Sequence, residues 1–163
     1  MDYAGSILFM GIGATLATDL WALARRRLLG VPAPDWGLVG RWFGHMARGR
    51  FRHERIAAAE PVRGERAIGW AAHYLIGIAY AGVLLAICGL AWVRQPTLAP
   101  ALAVGIATVA APFLLMQPGM GAGIAARRTP RPNSARLHSV VMHTVFGLGL
   151  YAAGLVLKLL SGE

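Results

Sequence analysis

Four polar side chains interrupt otherwise apolar runs: Asp19 in "LATDLWA", His73 in "WAAHYLI", Gln117 in "LLMQPGM" and His143 in "VVMHTVF". Two neutral imidazoles and a carboxylate form a donor set suited to zinc, iron or copper, with Gln117 or a water completing the shell. Two histidines from different helices could also hold a b-type haem from its two faces. The same aspartate and histidines could relay protons through a membrane. With no ligand at all, an imidazolium beside a carboxylate is a structural pair that holds helices in register. No serine or cysteine nucleophile stands at the same depth, Ser139 lying nearer the surface, so enzymatic chemistry is not expected.

Depth is what groups these four residues. Asp19 lies six residues before Arg25, His73 seven after Arg66 and His143 seven after Arg136. At about 1.5 Å of rise per residue, each sits about 10 Å inside the charged boundary of its helix, and Gln117, ten residues before Arg127, about 15 Å. A charge in hydrocarbon costs about 3 kcal/mol on insertion scales, so such groups are expected to turn inward and find partners. Thr18, Tyr74 and Thr144, their neighbours in sequence, are placed to donate hydrogen bonds. His138 is five residues from His143, which turns it to another face, and it is left outside the cluster.

The elements that must carry these groups are membrane spans. Hydrophobic residues make up 56% of the 163 positions and charged ones 14%, where a soluble domain carries about 25% charge. Four apolar stretches, about 3–24, 67–93, 98–126 and 137–160, reach the length of about 20 residues that a helix needs to cross hydrocarbon. The expected fold is therefore all-α: one polytopic domain of four transmembrane helices, with no strand alternation to suggest a barrel. The single cysteine, Cys88, excludes an internal disulfide framework and a cysteine-based zinc site.

Of the 16 basic residues, ten arginines fall in 25–66 and four in 127–136, leaving only Arg94 and Lys158 elsewhere. Basic loops stay in the cytoplasm. This predicts a multi-pass protein of the bacterial inner membrane with both termini on the outer side. The net charge of +9 reads as topology plus attraction to anionic lipid head groups, not as nucleic-acid binding. No basic region precedes the first span, so it does not read as a cleaved leader.

The connection 25–66 is too short and too basic from residue 28 on to build its own core. Asp35 is a helix cap, after which Trp36, Val39, Trp42, Phe43 and Met46 recur at near-helical spacing while Arg41, His45 and Arg48 face elsewhere. Two readings stand: a solvated loop with anchoring aromatics, or an amphipathic helix in the membrane interface. In the second, Trp36, Trp42 and Phe43 dip toward lipid, and Arg41, Arg48, Arg50 and Arg52 face phosphates. His53, within "RGRFRHER", is expected to be solvated. In the third span Pro112 and Pro118 each remove an amide donor, and Gly119, Gly121 and Gly123 follow, so a kink or break is expected near Gln117. Gly147, Gly149 and Gly154 allow close helix approach inside the bundle, between copies of the chain or within a larger membrane complex.

The segments "TDLWALARRRLLGVP", "LVGRWFGHMARGRFRHE", "GERAIGWAAHYLIGIAYA", "PFLLMQPGMGAGIAARRTPRPN" and "HTVFGLGLYAAGL" together resemble an uncharacterised family of small bacterial inner-membrane proteins, catalogued as a domain of unknown function. The resemblance covers nearly the whole chain. It implies a four-helix inner-membrane protein and brings no activity, substrate or cofactor with it.

Overall fold

The structure is a computed structural model that describes residues 2–161. Its α-helices are α1 (Tyr3–Leu29), α2 (Trp36–Met46), α3 (Glu65–Cys88), α4 (Ala91–Arg94), α5 (Leu98–Ala107), α6 (Gln117–Met120) and α7 (Pro132–Leu160), with no strand among the described residues. Four helical stretches are long and apolar enough to cross a membrane: Tyr3–Leu29, Glu65–Cys88, Leu98–Met120 and Pro132–Leu160.

The spans keep their expected order but end where backbone conformation dictates. Asp2 caps α1 by accepting from Gly5 N at 2.8 Å, and the helix continues past Arg25 until Gly30 takes φ 64°, with Arg26 and Arg27 in its last turn. Cations there complement the helix dipole. α3 stops at Cys88, short of the expected 93, because Gly89 is left-handed at φ 70°. α7 starts at Pro132, five residues before the expected 137, since a proline at the first helical turn sacrifices no bonded amide. The third span breaks as its prolines require. Pro112–Met116 is a π-helical turn, and α6 ends at Gly121, φ 96°, so the helix stops at Met120 and not at 126.

The chain divides into two compact units. The first comprises the chain up to Ala33, Tyr74–Thr108 and the chain from Val141 onward. Its core is Met10, Ala14, Leu84, Leu85, Trp92, Ala101, Val104, Phe146, Leu150 and Leu157. Small residues set its helix contacts: Gly11 lies against the Ile78 backbone, Gly105 against Gly147, and Gly149 against Ala14. Without a hydrophobic force between helices in lipid, this backbone-to-backbone packing is what holds them. Leu8, Ile12, Leu16 and Leu20, four residues apart, form an exposed apolar stripe along α1.

The second unit comprises Pro34–His73 and Val109–Val140. Asp35 caps α2 as expected, accepting from Gly37 N at 2.9 Å. Gly40 abuts the backbone of Glu65 and Gly69, and Gly69 abuts Trp36, which seats α2 on the first turns of α3. Trp42 packs on Gly119, His53 N donates to the Gly119 carbonyl at 2.9 Å, and Gly121 meets the Glu54 backbone. The connection that is too short to make its own core is thus completed by residues 109–140.

Candidate functional site

Two of the four intramembrane polar residues belong to the first unit, and each is clasped to a neighbouring helix. The Tyr74 hydroxyl donates to Asp19 Oδ2 at 2.9 Å, joining α3 to α1. His143 Nδ1 lies 2.9 Å from Thr108 Oγ1 and 3.3 Å from the Gly105 carbonyl, joining α7 to the end of α5. Thr108 Oγ1 itself donates to that carbonyl at 2.6 Å. A hydroxyl has one proton. With it spent on Gly105, the oxygen accepts from His143, so the proton of a neutral His143 sits on Nδ1 and the lone pair on Nε2. Gly149 faces Ala14 and Ala17, and Asp19 and His143 both lie a turn or two farther toward the same end of this unit.

The other two residues belong to the second unit. His73 stacks on Trp36, ring centroids 3.9 Å apart at 25°, with Trp70 at its edge, 5.8 Å away. Gln117 Nε2 donates to Ser139 Oγ at 3.4 Å, and its Oε1 is buried without a hydrogen-bond partner. Among the described residues no three His, Cys, Asp or Glu side chains are grouped as a metal ion would need. The expected set of Asp19, His73, His143 and Gln117 divides between the two units, two residues in each.

The residues assigned to the lipid interface separate sharply. Arg41 forms a two-pronged ion pair with Glu65, 2.8 Å at each prong, and its remaining nitrogen donates to the Ala57 and Ala59 carbonyls. Trp42 is buried and donates from Nε1 to the Phe51 carbonyl at 2.9 Å, and Trp36 serves His73. The hydrophobic face of α2 was legible from its spacing, but Trp36 and Trp42 spend it on protein. Phe43 is half-buried beside Trp42, and Arg48, Arg50 and Arg52 are exposed. His53, expected in solvent, is buried at 7% exposure, edge-on to His45 with centroids 4.9 Å apart. His45, also buried, donates from Nε2 to the Glu60 carbonyl at 2.9 Å.

Comparison with protein families matches residues 8–157 to a family described as proteins of unknown function, DUF2938. The chain belongs to the DUF2938 family. Curated proteins and solved structures give no match, so the chemistry of this DUF2938 chain rests on its own side chains.

Four of those were missed in the sequence or given another role. Thr108 had a signal: Pro112, four residues on, removes the amide that would bond the Thr108 carbonyl, marking that turn as irregular. Arg25 read as a boundary cation, yet it is 7% exposed with Nε and Nη1 lacking a hydrogen-bond partner. The His45–His53 pairing had no local signal, because tertiary folding creates it.

Proposed function

We propose that this DUF2938 chain is a multi-pass accessory protein of the bacterial inner membrane, both termini outside and residues 25–66 and 127–136 in the cytoplasm. Its intramembrane polar groups hold the helices together, and the folded unit of Pro34–His73 and Val109–Val140 is the part that meets other molecules. The observation that carries this reading is where polar chemistry is invested. That unit contains eleven arginines against four acidic residues, a net charge of +7, and it is built on the Arg41–Glu65, His45–Glu60 and Trp42–Phe51 bonds. The two polar groups in the spans of the first unit instead each pair with a neighbouring helix, Asp19 with Tyr74 and His143 with Thr108.

The test is made on purified protein in nanodiscs. Tyr74→Phe and Thr108→Val should each lower unfolding stability by about 0.6 kcal/mol, the usual worth of an interhelical hydrogen bond in a membrane. Elemental analysis should find no stoichiometric zinc, iron or copper, and the spectrum no Soret band. Stoichiometric metal or haem that disappears in His143→Ala would overturn the architectural reading. A second reading, proton relay, draws support from the lone pair that this hydrogen-bond arrangement leaves on His143 Nε2. It requires proton flux in proteoliposomes that His143→Gln abolishes.

A further inference from the structure

We infer that the second unit carries a binding site for a phosphate-class anion, formed by Arg50, Arg52 and Arg55 around the buried ring of His53. This names a ligand chemistry that the accessory reading lacks, and it stands on the geometry of this loop whatever the membrane topology.

These four residues, with Glu54, Ala58 and Ala59, line an open cavity of about 720 Å³. No hydrogen bond or ion pair occupies the three arginine side chains among the described residues, in contrast to Arg41, whose guanidinium is saturated by Glu65 and two carbonyls. Three arginines lining one open cavity bring mutually repelling charges to the same wall, and Glu54 is the acidic residue among them. An anion in the cavity removes that repulsion and gives each planar fork an acceptor. Arginine with phosphate is the geometry in which such forks bind two oxygens at once.

His53 is the independent observation. It is 7% exposed, and neither Nδ1 nor Nε2 has a hydrogen-bond partner. A buried polar ring left unsatisfied in this way is unusual and costly. In the neutral ring one of the two nitrogens carries a proton, and the Arg50 backbone carbonyl beside the ring does not meet it in hydrogen-bond geometry. Both ring nitrogens are closed off from solvent, so an acceptor oxygen from outside the chain reaches one only when the ring turns toward the cavity wall it shares with the arginines. The loop is anchored to receive it. His53 N is tied to the Gly119 carbonyl, Arg50 N to the His45 carbonyl, and the Glu54 backbone is pressed on Gly121. Binding therefore requires the ring and the arginine side chains to turn, not the loop to fold.

A phosphate group reaches such a site either as a soluble anion or as a lipid head group, and the experiment separates them. The full chain, with ¹⁵N-labelled histidine, is placed in nanodiscs of phosphatidylcholine alone and titrated with inorganic phosphate and then pyrophosphate. In parallel it is placed in discs with increasing phosphatidylglycerol and no added phosphate. A saturable shift of the His53 ring signals is expected in at least one arm. Phosphate or pyrophosphate in phosphatidylcholine discs identifies a soluble ligand, and phosphatidylglycerol alone a head group. The combined substitution Arg50→Gln, Arg52→Gln and Arg55→Gln should weaken the response about tenfold or more, consistent with loss of charge-assisted contacts. Arg127→Gln with Arg128→Gln, equally exposed and in the same unit, should leave it unchanged. Unshifted His45 and His143 signals show that each variant is folded, and the charge-preserving Arg55→Lys supplies a milder variant should the triple one not fold. No saturable His53 shift in either arm would overturn the inference. So would equal weakening by both sets of substitutions, which would mean diffuse charge and no site.

Discussion

His53 is the residue where burial and charge most clearly oppose each other. Burial pushes its pKa below the ordinary imidazole value of 6.5, Arg50 and His45 push it the same way, and only the Arg50 backbone carbonyl acts against them. The folded state thus resists a proton that the unfolded chain accepts, and the sign follows from linkage: wherever the unfolded state binds more protons, stability rises with pH. The stability associated with a neutral His53 is complete above pH 6.5 and is lost as pH falls through that value toward the lower folded one. Hydrogen exchange of residues 47–62 in phosphate-free buffer should accordingly speed up between pH 7.5 and pH 5.5, after correction for intrinsic exchange. His53→Gln should remove most of that dependence. An unchanged slope in the variant would assign the effect to a group other than His53. At this scale the sequence was a mixed guide. It located Asp19, Tyr74 and His143 as polar groups in apolar helices, but it put His53 in water and, in one of its two readings, turned Trp42 toward lipid, since neither spacing nor hydropathy reveals that residues 109–140 cover them.

Among the helices, α2 shows most plainly how glycine decides packing. A Cβ at Gly40 would run into the backbone of Glu65 and Gly69, and one at Gly69 into that of Trp36. Backbone atoms cannot move aside as a side-chain tip can. Gly40→Ala and Gly69→Ala should each lift α2 from α3 and cost about 1–3 kcal/mol, the usual range for overpacking. The measurable sign is loss of exchange protection in Pro34–His73, while the core around Met10, Leu84 and Leu150 keeps its protection. Equal loss in both regions would mean that the two units unfold together. Gly147, Gly149 and Gly154 lie against Ala101 and Leu102, Ala14 and Ala17, and Trp92, so their small size serves contacts inside the first unit. The break near Gln117 follows from Pro112 and Pro118, which any helix must accommodate. Its form, a π-helical turn closed by a left-handed Gly121, depends on how the freed carbonyls are bonded once folded.

Across the whole molecule, charge asymmetry yields the topology prediction. A periplasm-active reporter should be silent when fused after position 40 or 131 and active when fused after Lys158, where the last span is nearly complete; the reverse pattern would invert the orientation. Composition and length alone determined that this chain is helical with four potential spans, because an apolar run of about 20 residues can satisfy its backbone in lipid only as a helix. Local chemistry likewise determined the Asp35 cap and the proline break. Tertiary structure decided which polar groups meet, and it did so through contacts between segments far apart in sequence: Asp19 with Tyr74, Thr108 with His143 and Arg41 with Glu65. Depth along a helix is one coordinate, and it follows from counting residues. The direction in which a side chain points, and what covers it, depends on how neighbouring helices rotate and cross, which here is set by glycine contacts that appear only when the chain is folded.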